Sequence, residues 1–255
     1  MKLTFLHLIH TFIFPLYLIA LPQGLWLKRS AIRLPEAKGP RKLHPDGTQS
    51  VLFNTKEMQA ELKLLYLGES PAAGVGIENI EQAVSAQVAY QLAEIAQTQK
   101  IEWQLLAQNG IKIKDLRLKL QQSHTHNPDI CIISMGVNDC SNLTSAKQWG
   151  TEISHLIADL KLMGCCEIFF TAVPPMHKFP LLPKPQSWVM GYRAYVLNQV
   201  LRHICDEQGA HFLGFSGDLQ PDLICHDGYH PNEKGAELWA QSISQQIIPF
   251  INNDH

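Results

Sequence analysis

The chain has 255 residues, 45% of them hydrophobic and 17% charged, enough for one large core plus an appendage and short for three domains. Its 16 glycines and 15 prolines exclude collagen-like and low-complexity classes. A net charge of −2, from 21 basic and 23 acidic side chains, provides no global field for holding nucleic acid, and none is expected as a partner.

Residues 1–27 are dominated by an apolar run from Leu3 to Leu27. Its length suits a bilayer span, which needs about 20 residues, while His7, His10, Pro15, Pro22 and Gln23 suit a re-entrant or interfacial anchor. A cleaved signal peptide fits poorly, because the only basic residue at its start is Lys2 and bulky Leu18 lies three positions before the candidate cleavage site at Ala20. Lys28, Arg29, Arg33, Lys38, Arg41 and Lys42 follow. For a spanning segment this bias puts the remainder on the cytoplasmic side, and for a dipping one it meets anionic headgroups. A hydrophobic arm packed on the protein's own core is the competing expectation. Residues 28–61, with Pro35, Pro40 and Pro45, read as an extended basic linker.

From residue 62 to 255 short β-rich runs alternate with amphipathic ones. Strands are expected at Lys63–Leu67, Glu102–Leu106, Ile130–Met135, Glu167–Ala172 and Ala210–Phe215. Helices are expected at Ile80–Gln97, Ile113–Gln122, Ala146–Met163, Trp188–Gln208 and Glu233–Ile248. Several strand runs are continuously apolar, as in strands covered on both faces. Repeated β-α units imply about five parallel strands with right-handed crossovers, a three-layer α/β/α sandwich.

The six cysteines show no C-x-x-C spacing, so they read as reduced apolar residues rather than zinc ligands or disulfides. Of the twelve histidines, His124 and His126 look like part of a solvated turn. His226 and His230 are separated by Gly228 and followed by Pro231, which disfavours a helix presenting both to a metal. No metal is expected.

In an open parallel sheet the chemistry lies beyond the carboxyl ends of the strands. The first strand runs into Gly68-Glu69-Ser70-Pro71-Ala72-Ala73-Gly74, the second into Asn109-Gly110, the third into Gly136-Val137-Asn138-Asp139. Asp227-Gly228-Tyr229-His230-Pro231 precedes the last helix. Each has an ordinary explanation alone. Ser70-Pro71 fits a helix start, Asn109-Gly110 a turn, Asn138 a cap, and Asp227 with His230 a capped turn beside a surface imidazole. Together they supply the parts for acyl transfer. Ser70 is a poor nucleophile until His230 removes its proton, and Asp227 fixes the imidazole tautomer. The amides of Ser70 and Gly110 and the side chain of Asn138 are the candidate oxyanion donors.

These stations, in this order, resemble the SGNH (GDSL-like) hydrolase family, and the resemblance extends from Leu62 to Ile248. It implies a flavodoxin-like α/β/α fold, hydrolysis of esters (the family holds esterases, lipases, lysophospholipases and carbohydrate deacetylases), and no metal or organic cofactor. The family usually has Asp before the nucleophile, where this chain has Glu69.

The stretch Val173–Trp188 contains Pro174, Pro175, Pro180, Pro183 and Pro185 and follows a strand end. It reads either as a packed surface loop or as one wall of a pocket for an apolar group, with Phe179, Leu181, Leu182 and Trp188 as candidate substrate contacts. With the apolar N-terminus it favours a lipidic or short acyl ester. A carbohydrate O-deacetylase and a non-catalytic membrane-tethered binding protein are the alternatives.

Overall fold

The computed structural model describes residues 3–39, 42–43, 49–52, 62–95, 101–123, 125, 127–216 and 219–251, with side chains from Pro15 onward outside the first two strands. His124 and His126 lie outside the described residues. The five expected strands form as β3 (Leu62–Gly68), β4 (Ile101–Ala107), β5 (Ile130–Ser134), β6 (Glu167–Thr171) and β7 (His211–Leu213). They pair in parallel in the order β4-β3-β5-β6-β7. Two short strands, β1 (Lys42–Leu43) and β2 (Gln49–Leu52), extend the β4 edge antiparallel. Part of the segment expected to be a plain linker is therefore an edge hairpin.

Alternation along the strands builds two cores. Leu65, Leu67, Cys131, Ile133, Ile168 and Phe170 face one, and Leu64, Tyr66, Ile130, Ile132 and Phe169 the other. Successive strand side chains point to opposite faces, so apolar runs are buried only when both faces are covered. On the first face lie α3 (Ile113–Gln121), α5 (Ala146–Leu162) and α6 (Gln186–Gln208), and on the second α2 (Val84–Ile95) and α7 (Glu233–Ile251). The short α4 (Val137–Ser141) follows β5.

Helix ends follow local chemistry. Ser145 Oγ accepts the Gln148 amide at 3.1 Å and caps α5, whose Ile153, Leu156, Ile157 and Leu160 form its buried stripe. Gly209, at φ +62°, ends α6. The expected helix at Ile80–Gln97 is instead a 3₁₀ turn, Ile80–Gln82, and α2, separated by extended Ala83.

The N-terminal run forms α1 (Leu3–Ser30), which packs against α6. Ala20 and Leu27 are buried, with Leu16 and Tyr17 against the first core. Among the described residues, no helix is long and apolar enough to cross a membrane.

Candidate active site

The strand register sets one level edge. Gly68 at the end of β3 pairs with Ala107 of β4 and Ser134 of β5, so residues 69–76, 108–111 and 135–138 leave the sheet side by side. Beneath them, Ser134 Oγ shares a 2.7 Å hydrogen bond with the Tyr66 hydroxyl and accepts one from Thr171 Oγ1 at 3.1 Å. These buried hydroxyls satisfy one another, so no polar group is stranded under the site.

After β3 the chain makes tight turns from Ser70 to Gly76, and the first helical residue of α2 is Val84. The Ser70-Pro71 pair is therefore no helix start. Glu69 N donates to Ser134 O, the Ala72 and Ala73 amides donate to Glu69 O, and Val75 N donates to Ser70 O. A Cβ on Gly68 would come within 2.4 Å of Ala72 Cβ, which is why the strand can turn so closely there.

Gly110 stands at φ +79° with open space where a side chain would project. Among the described residues, no acceptor takes the Ser70 or Gly110 amide. Asn138 Nδ2 donates to Ile111 O at 3.2 Å, drawing its side chain to the Gly110 turn. The turn into α4 depends on Gly136, at φ +123°, where a Cβ would strike Val173 Cγ2 at 2.4 Å. Asp139, the last residue of that motif, faces away: its carboxylate accepts the Ile113 amide at 3.0 Å and the Thr144 hydroxyl at 2.8 Å, holding the start of α3.

Glu69 joins two of these stations. Its carboxylate accepts the Val137 amide at 2.8 Å and the Asn138 amide at 2.9 Å. Burial pushes its carboxyl up to about 8, against the pull of the Asn138 and Val137 N–H groups. The sequence flagged Glu69 only as a departure in a motif.

The Asp227–His230 loop carries the imidazole expected as the base. Asp227 Oδ2 lies 2.6 Å from His230 Nδ1, and Oδ1 accepts the Tyr229 and His230 amides at 2.9 and 3.1 Å. Burial alone would raise the Asp227 carboxyl, but the hydrogen bonds from the His230 ring and the two amides hold it below its ordinary value. Cys225 lies where this loop meets the Ser70 turns: its Sγ is 3.4 Å from Pro231 O and 3.6 Å from Gly76 O, and its amide donates to His230 O at 2.7 Å. Tyr229, which sequence reasoning did not single out, shares a 3.2 Å hydrogen bond between its hydroxyl and Ser141 Oγ at the end of α4. Among the described residues no hydrogen bond joins the Ser70 hydroxyl to the His230 ring. The two loops meet instead through Cys225 and Gly76.

The proline-rich loop divides the four expected substrate contacts. Phe179 packs edge-on against Tyr229 with ring centres 5.0 Å apart, and Leu181 N donates to Gly228 O at 2.9 Å. Phe179 is buried in the first core, and Leu182 packs partly buried against it. Trp188 is 50% exposed on the first turn of α6, with Lys184 Nζ over its ring. All six cysteines are free thiols. Among the described residues, no group of three or more His, Cys, Asp or Glu side chains is arranged to hold a metal ion.

A model of the GDSL-like lipase/acylhydrolase family matches residues 66–238. No curated protein matches the sequence. Among solved structures, the fold is similar to a psychrotrophic esterase, EstA, from Pseudoalteromonas sp. (TM-score 0.60, 19% identity, 76% of this chain and 100% of that one). It is similar to TesA (TM-score 0.61, 16% identity, 73% and 98% covered). It also resembles Axe2, an acetylxylan esterase from Geobacillus stearothermophilus (TM-score 0.56, 17% identity, 75% and 96% covered).

Proposed function

Because the chain belongs to the GDSL-like lipase/acylhydrolase family, we propose that it hydrolyses a carboxylic ester through an acyl-enzyme on Ser70, with His230 as base and Asp227 as its orienting carboxylate. The observation that carries this reading is the 2.6 Å Asp227–His230 pair on a loop that meets, at Cys225, the turns that hold Ser70. In free enzymes the nucleophile–base contact is often long and closes only with substrate.

Ser70 Oγ attacks the carbonyl carbon while His230 Nε2 takes the hydroxyl proton, and Asp227 stabilises the resulting imidazolium. The carbonyl oxygen becomes an oxyanion held by the Ser70 and Gly110 amides and the side-chain amide of Asn138. Collapse breaks the bond to the alkoxy oxygen, and His230 returns its proton to the departing alcohol. Water then attacks the acyl group, giving its proton to His230. The acid leaves, and Ser70 regains its hydrogen.

The substrate is proposed to be a lipidic or short acyl ester, since the half-buried Tyr229 ring, backed by Phe179, lies next to His230. The N-terminal segment is proposed to associate with a membrane surface, whose anionic headgroups the following basic residues would meet. A nitrophenyl ester series of rising chain length, run beside acetylated xylan, tests the substrate class. Turnover of the nitrophenyl esters supports the lipidic reading, activity confined to the acetylated sugar gives the O-deacetylase, and no turnover of either gives the binding protein.

A further inference from the structure

The described half of α1 is apolar on two faces, and the protein covers only one. Leu16, Tyr17 and Ala20 lie against the first core, and Leu27 is buried. Gln23 fixes this seat: its Nε2 donates to Lys184 O at 3.2 Å, and its Oε1 accepts the Gln186 amide at 3.3 Å. The opposite face carries Leu18, Leu25 and Trp26, exposed by 73%, 62% and 65%, with Ile19 and Leu21 at its flanks. A helix apolar all round is normally buried on every side. Single exposed leucines need no explanation, but a continuous strip of them does.

The surroundings of the strip identify its occupant. Exposed Lys28, Arg29 and Arg33 follow directly, and no acidic residue precedes Glu36. A second copy would cover the apolar strip yet bring these cations against a segment with no anions. An anionic bilayer satisfies both at once, with acyl chains for the strip and headgroups for the cations. Leu16, Tyr17, Ala20 and Gln23 hold this part of the helix along the domain, so it rests beside the fold rather than crossing a bilayer.

The same contacts connect this face to the site. The loop that accepts Gln23 at Lys184 also donates from Leu181 to Gly228 and packs Phe179 on Tyr229, next to His230. We propose that the outward face of α1 lies in the interface of an anionic membrane and presents bilayer-held acyl esters to the catalytic edge. The docking stands on α1 alone, and the choice of substrate rests on the esterase reading above.

Flotation of the full chain with vesicles of phosphatidylcholine, alone or mixed with phosphatidylglycerol, tests this. The protein is expected to float with the mixed vesicles and much less with the neutral ones. A variant carrying Leu18→Ser, Leu25→Ser and Trp26→Ser is expected to lose binding by about ten-fold or more. Lys28→Ala and Arg29→Ala are each expected to weaken it about five-fold. All these variants should turn over a soluble nitrophenyl acetate like the wild type while slowing on a fatty-acyl ester held in the vesicles. A wild type that stays with the unbound fraction, or a triple variant that floats equally well, overturns the proposal. So does a wild-type dimer that becomes a monomer in the triple variant without vesicle binding, since the face would then belong to a second copy. Ser70→Ala separates the two readings, because it should float normally and turn over neither ester. Flotation with no Ser70-dependent turnover overturns the esterase reading, and with it the delivery of esters, while leaving the docking.

Discussion

The Glu69 carboxylate accepts the backbone N–H of Asn138 at 2.9 Å, so the residue beside Ser70 holds the residue proposed as an oxyanion donor. Its other oxygen takes the Val137 amide at 2.8 Å. The residue next to Ser70 and the 137–138 turn are thereby linked by one side chain, and their separation is not left to loop packing. Glu69→Ala is expected to lower kcat by about 10²-fold, the scale of an ångström of misplacement, with KM little changed. Glu69→Asp is expected to recover part of that rate, because its shorter carboxylate still reaches one of the two amides. Steady-state kinetics of both variants check this, and a loss confined to KM would assign Glu69 to substrate binding instead.

The raised carboxyl of Glu69 also sets a pH dependence. Its folded pKa stands above the unfolded one, so its contribution to stability is complete below the unfolded value, 4.5, and is lost as pH rises toward about 8. Melting temperature of the wild type should therefore fall relative to Glu69→Gln across that interval and run parallel to it above. Asp227 has the opposite sign. Its depressed carboxyl stabilises the fold above the ordinary carboxylate range, and that contribution disappears on acidification below it. Thermal melts across both ranges, with Asp227→Asn as the second reference, separate the two groups.

Ser70→Ala and His230→Ala are expected to abolish most turnover with little change in melting temperature. Asp227→Asn should be milder than His230→Ala, since its side-chain oxygen can still accept the loop amides that orient the base. Equal losses of stability and rate across the three would assign these residues to the fold.

The oxyanion donors and the glycines that shape them should separate cleanly. Asn138→Ala is expected to cost about 10²–10³ in kcat with binding of a substrate analogue retained. Gly110→Ala meets no neighbour within 4 Å but is held at φ +79°, so it should cost about 1–2 kcal/mol of backbone strain and lower the rate. Gly136→Ala combines a positive φ with a 2.4 Å clash on Val173 and should destabilise the fold far more than Gly110→Ala. Denaturant melts beside kcat measurements rank the three.

The α/β/α architecture was legible because strands covered on both faces must be apolar throughout, and Leu64–Leu67 and Ile130–Ile133 are. The edge strands β1 and β2 were not. They are two and four residues long, and Gln49 and Ser50 break any apolar run. Periodicity carried Ile80, Val84 and Val88 across the break at Ala83, since a helical spacing survives an interruption by one extended residue. The helix expected to begin at Trp188 begins two residues earlier, at Gln186, where Ser187, Val189 and Met190 are buried and Trp188 is half exposed. The stations of the site were legible as residue types at strand ends. What joins them was not: Glu69, Cys225 and Tyr229 act through backbone amides, a carbonyl and a hydroxyl that only the assembled loops bring near.

Covalent labelling by a fluorophosphonate, read by peptide mapping, addresses the central claim most directly. The tag should appear on the peptide containing Ser70 in the wild type, vanish in Ser70→Ala, and form far more slowly in His230→Ala. A tag located on any other residue, or labelling indifferent to His230, would contradict the account.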